Sequence, residues 1–332
     1  MKLLFFLSGG STLFAKEEVI SLLNSYGIKY EVIFSEGQLL IIKVSSVKID
    51  FIYRLGLTHF VLDILFDSPI DEKIDKAISG IQWDSQLSLD RTFKVRVKNK
   101  EKGEYGNLEL IIAKSISKYF ENNIKADLTN PMDDIIGLVS QNKLYIGKKI
   151  FERNKKDFNK RKPQLRPFFS PTSIDPRIAR AMINISQVQR EILDPFTGTG
   201  GILIEAGLIG LDIYGLDIEE RSVIGTKTNL LNYGIKNFDV RTGDARKISE
   251  IFGRTFESIV TDAPYGRSTK IDKDKEKMYR DCFFSILDSF KKRCVIGLDK
   301  EYPFDEIGFQ IENIYSFRVH KSLIRYLHVL SR

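Results

Sequence analysis

The spacing of apolar positions changes near residue 170, and the change divides the chain into two kinds of structure. Before it, strand and helix periods are mixed. Residues 3–7 form an apolar run suited to a strand, and a helical segment beginning near Ser11 and Thr12 places Val19, Leu22 and Leu23 on one face. Strands are predicted at 30–34 and 39–44. A second unit begins near Thr58. There Phe93, Val95 and Val97 alternate with Lys94, Arg96 and Lys98, as a half-buried strand with a basic outer face should. A helix over about 108–121 and short strands at 135–139 and 143–146 complete that unit.

Beyond residue 170, strands alternate with amphipathic helices. Strands at 191–194, 212–217, 238–241, 258–261 and 293–298 predict a doubly wound parallel sheet, and 309–318 with 324–330 predict an antiparallel edge hairpin. The fold class expected is α/β. A ferredoxin-like α+β domain is placed at 1–55, a second domain at 56–150, a basic linker at 151–169 and a Rossmann-like domain at 170–332.

Composition narrows the function classes. With 332 residues, 42% hydrophobic and 29% charged, the chain has enough apolar material for ordinary cores, and disorder is not expected. No apolar run approaches the roughly 18 residues that span a bilayer, and residues 2–7 are followed by no small-residue cleavage pattern. A cytoplasmic protein is expected, with no membrane contact and a monomer as the simplest state. Cys282, Cys294, His59, His320 and His328 show no metal-ligand spacing, so no metal site is expected.

Charge placement points to a partner. Between Lys148 and Arg166 stand nine basic residues against Glu152 and Asp157, an excess of 9 − 2 = +7 that equals the net charge of the whole chain. A solvated linker is the plain explanation. The run adjoins motifs for handling a base, however, which favours a phosphate-bearing partner.

Those motifs begin with Asp194-Pro195-Phe196-Thr197-Gly198-Thr199-Gly200-Gly201 after a predicted strand. Glycines at 198 and 200 permit a tight turn and close approach of main-chain N–H groups to a ligand. Leu203 stands where a dinucleotide site would carry a third glycine or alanine, so the hydride-transfer fingerprint is incomplete. Asp-x-Phe-x-Gly-x-Gly instead resembles an S-adenosylmethionine loop. Asp217 closes the next strand, where an acid can accept both ribose hydroxyls. Asp244 and Ala245 follow the third strand. There Asp244 can accept from an adenine amine or serve as a helix N-cap. Ser173, within Ser170-Pro171-Thr172-Ser173, can bring a hydroxyl near the donor's amino-acid end, although Asp175 capping a helix with Pro176 at its first position explains part of this segment as well.

Asp262-Ala263-Pro264-Tyr265 supplies the second half of a reaction. A carboxylate and a main-chain carbonyl can grip the N–H groups of an exocyclic amine and aim its lone pair, which is catalysis by position and electrostatics. Pro264 stiffens the loop, and Tyr265 offers a stacking face for an extruded base. Residues 270–277, with four lysines and three acids, read as a flap beside it.

Together these motifs resemble the THUMP-domain tRNA guanine-N2 methyltransferases, most closely the archaeal subgroup that modifies guanosine 10 of tRNA. The likeness runs almost the whole length. It is carried by DPFTGTGGILIEAGLIG from Asp194 to Gly210, by Ala263-Pro264-Tyr265-Gly266-Arg267-Ser268-Thr269, by Arg166-Pro167-Phe168-Phe169 with Pro176-Arg177-Ile178-Ala179-Arg180-Ala181-Met182, and by Phe93 to Lys98 with Asn130-Pro131 to Gly147. The family usually has proline where this chain has Ala263, and relatives often carry a small residue such as cysteine at Thr197. The resemblance implies a class I methyltransferase domain after a THUMP domain, S-adenosylmethionine as donor, and methyl transfer to the N2 amine of guanosine 10, once or twice. It implies tRNA held by its 3′ end and core, with Arg96, Lys98, Lys155, Lys156, Arg161 and Lys162 on the backbone. The alternatives are guanosine 6 or 26 as target, a DNA or rRNA amine, and a noncatalytic tRNA-binding scaffold.

Overall fold

The apolar run at the start of the chain lies inside the first sheet, where Leu3, Leu4, Phe5 and Leu7 of β1 (Lys2–Leu7) are buried. The computed structural model describes residues 1–45, 48–99, 107–170, 173–263, 273–320 and 323–332. They group into two units. The first comprises Met1–Leu7, Lys29–Ile49 and Thr58–Glu152, the second Ser8–Ile28, Asp50–Leu57 and Arg153–Arg332. Helix α1 (Thr12–Ser25), although it follows β1 in sequence, thus belongs to the second unit.

In the first unit, β2 (Tyr30–Glu36), β3 (Leu39–Val44), β4 (Thr58–Pro69), β5 (Phe93–Asn99), β6 (Asp133–Ser140) and β7 (Lys143–Glu152) join β1 in one seven-stranded sheet, order β2-β3-β1-β4-β7-β6-β5. The sequence reading has no counterpart to β4. Its near-continuous apolar stretch, paired with β1 on one side and β7 on the other, lacks the strict alternation that marks a one-sided strand. Because β4 bridges the two, the expected boundary at 55/56 falls between strands of a single sheet. Phe93 and Val95 of β5 point inward to a core that includes Trp83, Ile112, Ile135 and Leu144, with α2 (Ile74–Ser79) and α3 (Leu108–Tyr119) over it. Trp83 Nε1 donates to Ser115 Oγ at 3.0 Å, and Ser115 Oγ donates to the Ile78 carbonyl at 2.9 Å, so the indole is buried with its polar atom satisfied.

The second unit continues with α4 (Lys155–Lys160), α5 (Pro176–Ile185), β8 (Glu191–Asp194), α6 (Gly201–Gly207), β9 (Asp212–Asp217), α7 (Glu220–Asn232), β10 (Phe238–Thr242), α8 (Ile248–Phe252), β11 (Ser258–Asp262), α9 (Lys273–Leu287), β12 (Cys294–Leu298), β13 (Gln310–His320) and β14 (Leu323–Ser331). Its sheet runs β10-β9-β8-β11-β12-β14-β13, five parallel strands with β14 antiparallel to β12 and β13 at the edge. The expected Rossmann-like sheet and hairpin are both present. Strand order reverses between β8 and β11, and the carboxyl ends of strands at such a switch point are where open α/β sheets bind ligands.

One buried carboxylate ties the early segments to this unit. Glu18 of α1 is fully buried and accepts from the Gly56 and Leu57 N–H groups at 2.7 and 2.8 Å and from Asn184 Nδ2 at 2.8 Å. Asn184, on α5, also donates to the Arg54 carbonyl at 2.9 Å. Burial pushes the Glu18 carboxyl above its ordinary value, with these hydrogen bonds opposing. Local periodicity marks α1 as a helix but cannot say which sheet it serves, because its partners are distant in sequence.

Candidate active site

The strand-end acids and the glycine loop meet at one cavity of the second unit. Ser173, Asp194, Phe196, Thr197, Gly198, Asp217, Asp244, Ala245, Asp262 and Ala263 all line it, and its volume is 1290 Å³. A single small ligand usually occupies roughly 300–1,000 Å³, so two ligands side by side have room.

The loop from β8 into α6 is held open by backbone geometry and by α7. Gly198 and Gly200 take φ of +51° and +76°, a conformation that side chains disfavour, and a Cβ at Gly200 would stand 2.9 Å from Thr226 Cγ2. Thr226 Oγ1 donates to the Gly198 carbonyl at 3.0 Å, and Asn229 Nδ2 donates to the Thr199 carbonyl at 2.8 Å. Thr197 is buried with its N–H on the Leu216 carbonyl at 3.0 Å, and its methyl lies where a Cβ on Gly215 would come within 2.5 Å. Ser173 Oγ and Thr199 Oγ1 are 2.7 Å apart. Neither Thr226 nor Asn229 stands out in the sequence, where they read as ordinary polar positions of a helix.

Asp217 accepts the Gly198 N–H at 2.8 Å on one oxygen and the Glu219 N–H at 3.0 Å on the other. A carboxylate has about four acceptor positions, so capacity remains for two hydroxyls. Burial raises its pKa. Asp244 does act as a cap, accepting the Arg246 N–H at 2.9 Å, and the Arg246 guanidinium holds the carboxyl below its usual range.

The acceptor side centres on Asp262 at the end of β11. Arg325 Nη2, on β14, lies 3.0 Å from Asp262 Oδ2. Asp262 Oδ1 is buried with no hydrogen-bond partner among the described residues. Burial pushes this carboxyl up to about 6, and Arg325 opposes the shift. Gly297 on β12 makes the close approach possible, because a Cβ there would stand 2.5 Å from Oδ1. Asp194 lines the cavity and also braces the loop: its Oδ1 accepts Thr261 Oγ1 at 2.6 Å and the Phe196 N–H at 3.1 Å, with burial lifting the carboxyl to about 7. Ala263 N–H donates to the Gly297 carbonyl at 3.0 Å. Pro264 and Tyr265, expected to stiffen the loop and stack the base, lie outside the described residues, as does the expected flap up to residue 272.

A buried acceptor without a partner costs roughly 1–3 kcal/mol, so a ligand N–H at Asp262 Oδ1 relieves a standing penalty. The arrangement suits a nucleoside-like ligand over the glycine loop and an amine against Asp262. Among the described residues, no cluster of three His, Cys, Asp or Glu side chains is placed to hold a metal ion.

Known proteins resemble this chain over most of its length. The family described as "RMKL-like, methyltransferase domain" matches residues 163–326. A tRNA (guanine(10)-N2)-dimethyltransferase of Pyrococcus abyssi is 41% identical over 285 residues, covering 83% of this chain and 84% of its own. Its namesake in Methanothermobacter thermautotrophicus is 36% identical over 332 residues, covering 95% of each chain. The chain belongs to this family. Of the solved structures it resembles, TrmN from Thermus thermophilus has a TM-score of 0.59 at 17% identity over the full length of both chains, a likeness of fold.

The basic residues expected to meet the family's RNA divide sharply. Lys148 and Lys149 form ion pairs with Asp133 and Asp134 at 2.6 and 2.5 Å. Arg153 is buried and donates to the Gly56 carbonyl at 2.7 Å. Arg161, expected on the RNA backbone, instead turns inward: its Nε and Nη2 reach the two oxygens of buried Glu205 at 2.6 and 3.2 Å. The physical reason is Glu205 itself, whose burial demands compensating charge, shared with Arg180 at 2.8 Å. Arg166 is buried as well. Lys155, Lys156, Lys160 and Lys162 are exposed. In the first unit, Arg96 pairs with Glu109 at 2.8 Å, and Lys98 lies 4.3 Å above the Phe60 ring.

Proposed function

We propose that the chain is an S-adenosylmethionine-dependent tRNA methyltransferase that modifies the N2 amine of guanosine 10. The observation that carries this reading is the unpartnered Asp262 Oδ1 in the same cavity as the Gly198 loop, in a member of the guanine(10)-N2 family. S-adenosylmethionine supplies an electrophilic methyl group on a sulfonium sulfur. Asp217 would take its ribose hydroxyls, the turn at Gly198 and Gly200 would let the backbone pass close beside it, and Asp244 with Ala245 would border the adenine. Asp262 Oδ1 accepts one N–H of the guanine amine and fixes where its lone pair points. Arg325 holds the other oxygen, so the carboxylate cannot rotate away. As the nitrogen gains the methyl group, the bond from sulfur to that methyl would break to leave a neutral thioether, and the nitrogen would lose one proton to the Asp262 carboxylate. The Ala263 carbonyl is the proposed second acceptor, Pro264 would hold the loop rigid, and Tyr265 would stack on the base.

The middle of the chain, 56–150, is proposed as the THUMP domain that grips the 3′ end of tRNA. Arg96, Lys98, Lys155, Lys156 and Lys162 are the proposed backbone contacts, supported by their exposure, with Arg161 withdrawn from that set. The proposed compartment is the cytoplasm. Among the described residues, no helix is long and apolar enough to cross a membrane. Incubation of the purified chain with labelled donor and unmodified tRNA, followed by nucleoside mass spectrometry, tests the assignment. N2-methylguanosine, N2,N2-dimethylguanosine or both are expected, and a methylated adenosine as the product would refute it.

A further inference from the structure

Guanine and adenine both present an exocyclic amine, so an acceptor for that amine alone does not tell them apart. Their neighbouring ring nitrogens do. Guanine N1 carries a proton and donates, whereas adenine N1 is a bare acceptor. A site that reads guanine therefore gains from a second acceptor beside the one that holds the amine.

Asp299 is the candidate for that second acceptor. It is the residue after β12, two positions beyond Gly297, and Gly297 pairs with Asp262 and lies against its Oδ1. Like Asp262 Oδ1, Asp299 Oδ1 is buried with no hydrogen-bond partner among the described residues. Both residues line the same cavity. Two desolvated carboxylate oxygens at the ends of adjacent strands are each unfavourable alone. Arg325 adds direction, because the register Leu298↔Tyr326 brings it to this strand end, and its contact with Asp262 Oδ2 leaves Oδ1 as the oxygen for the ligand.

Resting on the proposed function, we infer that Asp299 is a specificity-determining residue: it accepts the N1–H of the target guanine while Asp262 accepts an amine N–H. Adenine in the same pose would set its N1 lone pair against the Asp299 carboxylate. The pair thus favours guanine by attraction and rejects adenine by repulsion.

The test uses tRNA transcripts with guanosine or 2-aminopurine at position 10. 2-Aminopurine keeps the 2-amine but has an unprotonated N1. The wild-type chain should prefer guanosine by about 10- to 100-fold in kcat/KM, the usual worth of a specific base contact. Asp299→Asn can either accept or donate through its amide, so it should lower turnover of guanosine and raise that of 2-aminopurine, shrinking the preference to about threefold or less. Donor affinity measured by calorimetry should stay at the wild-type value. Equal use of the two bases by the wild-type chain overturns the inference without need of any variant. So does a variant that keeps the wild-type preference, or one whose lost turnover tracks lost donor affinity. If the wild-type chain methylates neither transcript, the proposed function fails and the inference with it. If it methylates guanosine but selectivity ignores Asp299, only the inference fails.

Discussion

Asp262→Ala is expected to lower kcat for methyl transfer by at least about 10²- to 10³-fold, the usual cost of losing one preorganised partner of the reacting group. Donor affinity should remain near wild type, because Asp217 and the Gly198 loop are untouched, and tRNA affinity should change little. Single-turnover kinetics alongside calorimetry separates these quantities. Near wild-type turnover would remove Asp262 from the reaction. The same carboxyl sets a pH dependence. Burial holds it up to about 6 against an ordinary value of 3.8, and methyl transfer needs it ionised. The kcat/KM for tRNA should therefore rise with pH, reach half its plateau near pH 6 and stay flat above about pH 7. Stability runs the other way. A carboxyl whose folded value is raised contributes fully below 3.8, and that contribution is lost as pH climbs through 6. The ionised form that the chemistry needs is thus the form the fold favours less.

A chain beginning at residue 166 is expected not to fold. The second unit includes Ser8–Ile28 and Asp50–Leu57, so this truncation removes part of the catalytic unit itself. Phe14, Val19, Leu22 and Leu23 of α1 are fully buried, α1 packs on α5, and Phe14 stacks with Phe317 and meets Tyr315 at a tilt. At about 1.5–3 kcal/mol for each buried side chain, those four represent roughly 6–12 kcal/mol, comparable with the whole stability of a typical domain. Loss of Glu18 also strips Asn184 of a buried partner. Circular dichroism and thermal melting of the truncated chain should show no cooperative transition. A folded fragment that binds donor as the full chain does would mean that α1 and the 50–57 segment are dispensable.

The parts of this site legible in the sequence are those whose chemistry is local. Asp194 to Gly201 spans one strand end, one turn and one helix start, so its spacing alone marks a tight glycine turn, which the structure gives positive φ at 198 and 200. Asp217, Asp244 and Asp262 were legible because each closes or soon follows a predicted parallel strand, and such strands bring their carboxyl ends to one edge. Asp299 follows the predicted strand at 293–298 and obeys the same rule, but no motif around it marks it. Arg325 was not legible, since it reaches the cavity only through the order in which β12 and β14 join the sheet. No local pattern distinguishes a strand arginine that pairs with a buried acid from one that faces solvent. The same limit misled the reading of the basic run, where charge counts treat Lys155 and Arg161 alike although Glu205 draws only the second inward. Helix α1 is the third case. Its amphipathic period was plain, but the choice between two sheets rests on Glu18 meeting Gly56, Leu57 and Asn184.

The central claim is that the methyl acceptor is the N2 amine of guanosine 10. Inosine lacks only that amine, so the decisive measurement compares labelled methyl incorporation into two otherwise identical transcripts, one with guanosine and one with inosine at position 10, with the modified nucleotide mapped by mass spectrometry. Incorporation confined to guanosine 10, and abolished in the inosine transcript, is the expected result. Label that persists on the inosine transcript, or that maps to guanosine 6 or 26, would contradict it.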